Sequence, residues 1–600
     1  MSASEKFLDL REEAMKEKTE EADPKVVIDR VRDGFLKSIN RNALLAFAQC
    51  VHCGLCNESC HYYLATEDPK MTPAYKADQV RKIYKKHVDW GGRFMPKWMG
   101  AKDVDSMEQL NELKDVVFGH CTMCRRCTYS CPFGVDTALI MRNMRWLLTR
   151  EGIAPQGVLV ARKDQWETGN QMGVSQEDYL DTLEWLKEEV AAELDDPTVD
   201  VPIDKEDADI YFVINPREVK YAPMSLMAAI KIFHLAGANW TMGSIGWDNT
   251  SFGLFSGDNA LGGYVGALAY EQAVKLRAKK MVVSECGHGF RATKWEHPNW
   301  TGMGKLSFPI ESFLETMVDY VNTGKIVLDP SKNDFRVTYH DPCNLSRSSG
   351  ITEEPRFLLK RACKEFIEMT PNRTDSFCCT GGGGAMSMAE YAPKRLESAK
   401  IKADQIKATG AESCATACHN CEDGLTDLIK YYKINVPVHN VCEYVADACV
   451  VSVKAENKEK PEMDVPVDLK GKKILVIDDE PDIVTYLDAY LTDHDYSVVT
   501  AFDGDEALAK ARSEKPDLIT LDVTMPGKSG TEVFRQLRTD PETKDIPVFI
   551  ITGVMEFRQF IYQRAIEPPE GYMEKPVNPN VLSMTIAKIL THAAKKKEMN

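Results

Sequence analysis

No run of about 18 apolar residues occurs in this sequence, so nothing in it spans a bilayer by itself. Its opening stretch, MSASEKFLDLREEAMKEKTEEADPK, is charged and helix-prone and lacks the apolar core of a signal peptide. That places the chain in the cytosol. Basic residues are in deficit, 74 Lys and Arg against 91 Asp and Glu, for a net charge of -17. The deficit disfavours nucleic acid, which is held by Lys and Arg on phosphates, and equally disfavours direct adhesion to anionic lipid. No G-x-G-x-x-G follows a strand-like run, so no flavin-binding motif is visible. Cysteine is absent beyond Cys449, which is the last of 18. Disulfides are rare in the cytosol, so metal or redox chemistry must account for those cysteines. At 600 residues, with 44% hydrophobic and 28% charged, the chain is ordinary globular material. Its length suits roughly three to five domains.

The cysteines cluster. Cys50, Cys53, Cys56 and Cys60 are spaced C-x2-C-x2-C-x3-C, and Cys121, Cys124, Cys127 and Cys131 repeat the pattern, followed by Pro132. In such runs the first three thiolates wrap one face of a cubane cluster, and the fourth ligates the other cluster. Cys50, Cys53, Cys56 and Cys131 are therefore expected to hold one [4Fe–4S] cluster. Cys121, Cys124, Cys127 and Cys60 hold the second. Paired zinc sites also use C-x2-C, but two matching runs of four favour iron. The helical stretch between them resembles the α-helical ferredoxin domain of succinate-dehydrogenase-type iron–sulfur proteins.

A second pattern comprises Cys343, the pair Cys378 and Cys379 in FCCTGGGG, and Cys418 and Cys421 in CHNC. It resembles the CCG domain of heterodisulfide reductases, in which five cysteines hold an unusual iron–sulfur cluster. Thr380 stands where that family has Gly, but Gly381 to Gly384 follow at once and permit a bend. The cluster is noncubane as in the family, or an ordinary cubane. CCG domains come in pairs, and a degenerate first copy is visible: Asn215-Pro216-Arg217 aligns with Asp341-Pro342-Cys343, Trp247-Asp248 with the cysteine pair, and Cys286-Gly-His288 with Cys418-His-Asn-Cys421. Cys286 alone of five ligands remains, so this repeat keeps the fold without a cluster. It walls the site, with Cys286, His288 and Arg291 near the mouth; His288 itself reads as a plain turn histidine. Cys363 and Cys449 read as core residues.

Beyond residue 471 the pattern alternates strand and helix. Asp478 and Asp479 follow the strand KKILVI, Asp522 ends LITLD, Thr552 ends VFIIT, and Tyr572 precedes Lys575 of EKP. These residues resemble a response-regulator receiver domain. The resemblance implies Mg²⁺ on Asp478, Asp479 and Asp522, phosphorylation of Asp522, and a switch through Thr552, Tyr572 and Lys575. A histidine kinase would be the partner.

The expected architecture is multidomain. A helical extension (1–45) precedes an α-helical dicluster ferredoxin (46–150) and a helical linker (151–208). A degenerate α/β CCG repeat (209–330) and a cluster-binding CCG repeat (331–450) follow. A linker (451–470) leads to an α/β flavodoxin-like receiver (471–600). Together the motifs resemble the catalytic iron–sulfur proteins of the heterodisulfide reductase family, DsrK-like members included. That resemblance implies a cytoplasmic catalytic component at the inner face of the membrane, within a menaquinol-linked, DsrMKJOP-like complex of sulfate or sulfite reduction. A haem-b membrane subunit would be a partner. A small cysteine-bearing, DsrC-like protein would present a disulfide or trisulfide to Cys343, Cys378, Cys379, Cys418 and Cys421. Two other readings share the motifs: the iron–sulfur component of a glycolate or lactate oxidase, and a redox sensor in two-component signalling.

Overall fold

The computed structural model describes residues 3–15, 23–450, 469–523, 525, 528–552, 569–575, 577 and 579–599. Most of the 451–470 linker, and the side chains of Thr552 and Tyr572, lie outside the described part. The chain divides into two compact units, Met1–Gln176 with Glu189–Val453, and Glu177–Glu188 with Lys454–Asn600.

The first unit begins with helices. Pro24–Ser38 and Pro73–His87 both pack on Thr137–Arg150. Each start is written in the sequence: Asp23, Thr72 and Asp136 accept from Lys25 N, Tyr75 N and Leu139 N respectively. Helix Met107–Lys114 loosens into a π-helical turn, Asp115–Gly119, just before Cys121. Such turns concentrate at functional sites.

Two parallel sheets follow. The first holds β1 (Ile210–Val213), β2 (Trp240–Thr241), β3 (Lys280–Val283) and β4 (Ile310–Ser312), in the order β2-β1-β3-β4. The second holds β5 (Arg336–His340), β6 (Glu365–Glu368), β7 (Ser413–Thr416) and β8 (Val438–Asn440), in the order β6-β5-β7-β8. The two orders are the same, so the second sheet repeats the first. Every residue of β1 and of β7 is buried, as expected of strands covered on both faces. In a sheet of this kind side chains placed just past the strand ends form the ligand site. Here those positions carry Asn215, Cys286, Cys343 and Cys418.

Charged groups inside this unit are paired. Arg356 is buried and grips Asp341 through two bonds of 2.8 Å, Nη1 to Oδ1 and Nη2 to Oδ2, and also Glu368 at 2.7 Å. Asp341 also accepts from Arg373 N at 2.7 Å. The loop entering Cys343 is fixed by that pair. Near the N-terminus, Ser4 Oγ donates to Glu271 at 2.6 Å and Arg11 donates to the Glu167 carbonyl at 2.9 Å. The start of the 1–45 extension is thus laid against the first α/β repeat.

The second unit contains β9 (Lys473–Ile477), β10 (Ser497–Ala501), β11 (Leu518–Leu521), β12 (Val548–Thr552) and β13 (Gly571–Glu574). They form one parallel sheet ordered β10-β9-β11-β12-β13. Buried apolar side chains pack on both of its faces.

Candidate iron–sulfur and phosphoacceptor sites

The two ferredoxin motifs fold alike. His52 and Gly54 in the first have positive φ (54° and 83°), as do Met123 and Arg125 in the second (53° and 63°). These are equivalent positions, and three of the four residues are not glycine. Left-handed backbone at a non-glycine residue is costly and is kept where a function requires it. It turns amides inward, and Met123 N donates to Cys121 Sγ at 3.4 Å.

Cys50, Cys53, Cys56 and Cys131 line one hollow, with Ala74, Ala77 and Arg81. Cys60, Cys121, Cys124 and Cys127 line another, with His61, Tyr62 and Lys76. The structure thus brings the fourth cysteine of each run to the partner motif's site. Cys127 lies at the edge of both hollows. The thiols are all free, and the surroundings suit an anionic cluster: Lys76, itself buried, donates to Cys60 Sγ at 3.3 Å. Burial pushes the Cys121 and Cys127 thiols up, a penalty that bound iron removes.

The five cysteines of the second repeat converge and are buried. Cys379 Sγ lies 3.2 Å from Cys421 Sγ. Thr380 adopts φ 69°, the left-handed conformation for which glycine is preferred, and its N–H donates to Cys378 Sγ at 3.2 Å. The threonine therefore makes the family's bend at a strain cost. The glycines after it are required by close approach. A Cβ on Gly381 would meet the Asn420 carbonyl at 2.0 Å, and one on Gly383 the Thr122 carbonyl at 2.6 Å.

The Gly383 contact joins the two cluster regions. Thr122 Oγ1 is 3.3 Å from Cys378 Sγ, and the ligand atoms of His61, Cys124 and Cys378 all lie within 4.8 Å of one another. Arg145 and Arg347 clamp this seam. Arg145 is fully buried and donates to the carbonyls of Cys121 (2.7 Å), Gly383 (2.6 Å), Val117 (2.8 Å) and Phe255 (3.2 Å). Burial lowers its pKa to about 10. Arg347 donates to Cys124 O at 2.9 Å and Ser376 O at 2.9 Å. Arg145→Met is expected to leave four carbonyls unsatisfied, each worth about 1–3 kcal/mol. Electron passage from the second ferredoxin site to the CCG site should then slow at least about tenfold, read by rapid-freeze spectroscopy after dithionite mixing.

Sequence reasoning missed these residues because each acts across a long sequence separation. Only His61 and Thr122 carried a signal, each directly following a motif cysteine. The CCG site has further unexpected neighbours. His340 lies buried with Cys379 and Cys421, their ligand atoms within 4.8 Å, and neither ring nitrogen has a protein hydrogen-bond partner. Lys402 is buried beside the pair, and burial lowers its pKa to about 8.

The first repeat brings Cys286 and His288 to the same place. Cys286 Sγ is 3.3 Å from His288 Nδ1, which also lies 3.3 Å from Asn420 Nδ2. His288 is not a turn histidine: it is buried in the helix Gly287–Arg291, with the Phe255 ring tilted against it at 4.7 Å between centroids. A cavity of about 410 Å³ opens beside it, lined by Thr122, Phe255, Asn344 and Gly383, with Arg125, Arg142 and Arg291 on its walls. Cys363 and Cys449 are core residues, as are Cys414 and Cys442.

In the second unit, Asp478, Asp479 and Asp522 place carboxylate oxygens within 4.8 Å of one another. Lys575 Nζ reaches Asp522 at 2.6 Å, Asp478 at 2.8 Å and Glu480 at 2.9 Å. Burial pushes the Asp478 carboxyl up. An all-oxygen acidic set at strand ends fits Mg²⁺. Thr552 and Tyr572 end or occupy adjacent strands, paired through Ile550 with Tyr572 and Thr552 with Glu574.

Known proteins match each part. Residues 46–135 match the 4Fe-4S dicluster domain, 337–426 the cysteine-rich (CCG) domain, and 474–587 the response regulator receiver domain. An Hdr-like menaquinol oxidoreductase iron-sulfur subunit of Archaeoglobus profundus is 28% identical over 497 residues, covering 74% of this chain and 86% of that one. Over 74% of its length the chain is thus similar to a heterodisulfide-reductase-like iron–sulfur protein, and its C-terminal part matches receiver domains. The D component of the dihydromethanophenazine:CoB--CoM heterodisulfide reductase of Methanosarcina mazei is 28% identical over 426 residues, 70% of this chain and 98% of that one. The transcriptional regulatory protein PhoP of Bacillus subtilis is 42% identical over 133 residues, 22% of this chain and 54% of that one. The matched domains are iron–sulfur cluster domains, and these relatives are named as oxidoreductases. Among its described residues no helix is long and apolar enough to cross a membrane.

Proposed function

We propose that this protein is the cytoplasmic catalytic iron–sulfur subunit of a menaquinol-linked membrane complex. Cys50, Cys53, Cys56 and Cys131 would hold one cluster, Cys60, Cys121, Cys124 and Cys127 a second, and the five CCG cysteines a third, which together would supply an electron path to the CCG site. A disulfide or trisulfide on a small DsrC-like protein is reduced there, with a haem-b membrane subunit upstream. The observation that carries this reading is the apposition of Cys124, His61 and Cys378. Two cluster sites that share a wall exchange electrons directly, whereas a sensor has no need of such a seam.

When bound, the clusters supply single electrons; the disulfide takes up two electrons and two protons and leaves as two thiols. This chain's residues do the rest. The glycine run and Arg145 hold the two sites together, Lys76 and Lys402 offset thiolate charge, and His288 lies beside Cys418 and packs on Phe255 of the cavity wall. The cavity beside Thr122 and Asn344 admits the sulfur. The names of the Archaeoglobus relatives support the menaquinol link. The receiver binds Mg²⁺ and takes a phosphoryl group on Asp522 from a histidine kinase.

The test is metal and electron counting after anaerobic reconstitution. Three clusters predict about twelve irons per chain and a third signal on dithionite reduction that disappears on adding a disulfide or trisulfide substrate. Iron near eight would remove the third cluster and with it the reductase.

A further inference from the structure

One surface of the first unit has no role in the scheme above. Helix Pro73–His87 contributes Ala77 and Arg81 to the wall of the first ferredoxin site, and beyond its end the chain builds a small knob from two short helices, Trp90–Phe94 and Pro96–Met99. Trp90 is 75% exposed, Phe94 72% and Trp98 84%, with Val88 and Met95 also exposed beside them. Trp90, Phe94 and Trp98 are the most exposed large apolar side chains among the described residues. Aromatic side chains of this size present roughly 150–250 Å² each, so three of them make a patch of the size that marks an interaction site.

The knob is built to hold them out. Asp89 Oδ1 accepts from Gly92 N at 2.7 Å, Lys85 Nζ donates to the Met99 carbonyl at 3.1 Å, and Ala101 N donates to the Pro96 carbonyl at 2.8 Å. Gly92 lies so close to the preceding helix that a Cβ there would meet the Lys85 carbonyl at 2.1 Å. Trp90 and Phe94 brace each other at 5.6 Å between centroids. A folded, capped platform that fixes indoles in water implies an occupant.

The charge around the platform names that occupant. Lys82, Lys85, Lys86, Arg93, Lys97 and Lys102 lie in or beside it, against Asp89 as the single acid from 82 to 102, in a chain of net charge -17. Arg93, Lys97 and Lys102 are exposed. Protein–protein interfaces are depleted in Lys, whereas Trp and Phe rimmed by Lys and Arg are the composition of segments lying in the headgroup region of a bilayer. Each indole has an apolar body and a polar N–H suited to that depth. Whole-chain charge argues against anionic lipid, but screening confines the interaction to about a Debye length, so the local sign decides.

We propose that residues 88–102 are a membrane-surface anchor, with Trp90, Phe94 and Trp98 entering the headgroup region of an anionic bilayer and Arg93, Lys97 and Lys102 against its phosphates. The anchor is separate from the reductase reading. It concerns lipid contact, and turnover with a soluble electron donor does not depend on it.

The experiment uses the full chain with clusters reconstituted, sedimented with phosphatidylcholine vesicles with and without phosphatidylglycerol. Binding is expected to the anionic vesicles only, to weaken with salt, and to be accompanied by a blue shift of tryptophan emission. Trp90→Ser/Phe94→Ser/Trp98→Ser should abolish it, and Arg93→Glu/Lys97→Glu, which keeps the aromatic residues, should weaken it at least about tenfold, at roughly fivefold per basic residue lost. Unchanged visible absorption of the clusters shows that each variant has folded. Absence of sedimentation with anionic vesicles at low salt, or sedimentation that both variants leave intact, would overturn the proposal. So would sedimentation that requires a membrane protein in the vesicles, since the knob would then be a protein-docking surface.

Discussion

Cys379→Ser should bring reduction of a disulfide or trisulfide substrate to background while dithionite still bleaches the two ferredoxin clusters. The neighbouring thiols face different ways. Cys378 points to the ferredoxin motif, with Thr122 Oγ1 at 3.3 Å and Cys124 close by. Cys379 points into the site, 3.2 Å from Cys421 and grouped with His340. Losing Cys379 therefore removes a ligand from the centre of the five, and about four of the twelve irons should go with it. The ferredoxin sites share no cysteine with the CCG site, so about eight irons should remain. Cys378→Ser should also stop turnover, because it removes both a ligand and the thiol nearest the electron donor. Iron content, bleaching by dithionite and substrate-linked reoxidation together separate these effects from unfolding. Turnover retained in both variants would show that the chemistry is elsewhere in the chain.

What the sequence disclosed here was what spacing can carry. Two C-x2-C-x2-C-x3-C runs fix which thiols can share a cluster, and the hollows lined by Cys50, Cys53, Cys56 and Cys131 and by Cys60, Cys121, Cys124 and Cys127 follow from that local geometry. The ghost of the first repeat was legible because its turns keep their positions after ligands are lost, and the matching strand orders reflect the same economy. The seam was not legible. Thr122 meets Cys378 and Arg145 meets Gly383 across long sequence separations, and no local pattern encodes such a meeting. His288 was misread for a related reason. A CGH tripeptide gives no sign of burial, which here comes from Phe255 and the opposing repeat. Nor does a total net charge of -17 show that residues 82–102 form a basic stretch carrying two exposed tryptophans.

Asp522→Asn should abolish the single phosphoryl group that acetyl phosphate and Mg²⁺ add to the parent chain, measured as intact mass. Three acids within 4.8 Å repel one another, and two of them, Asp478 and Asp522, are buried. Folding alone gains nothing from that arrangement, because desolvation and like charge both oppose ionisation. Here burial is the largest influence on Asp478 and raises its pKa, while Lys575 pulls it down. Lys575 supplies one positive charge to the three acids and Glu480, so the cluster remains anionic and suited to a divalent cation. Phosphorylation adds a charge of about -1.5 to -2 and new acceptor oxygens at the end of β11, where Lys575 already reaches Asp522 at 2.6 Å. Replacing Asp522 by Asn removes the nucleophilic oxygen and leaves Asp478 and Asp479 to bind Mg²⁺, so metal binding should survive while phosphoryl transfer fails. EDTA should block labelling of the parent, and Lys575→Ala should leave the added group without its cation and shorten its lifetime. If neither acetyl phosphate nor a cognate kinase labels the parent chain, the acids serve no phosphoryl transfer and the second unit is a binding surface alone.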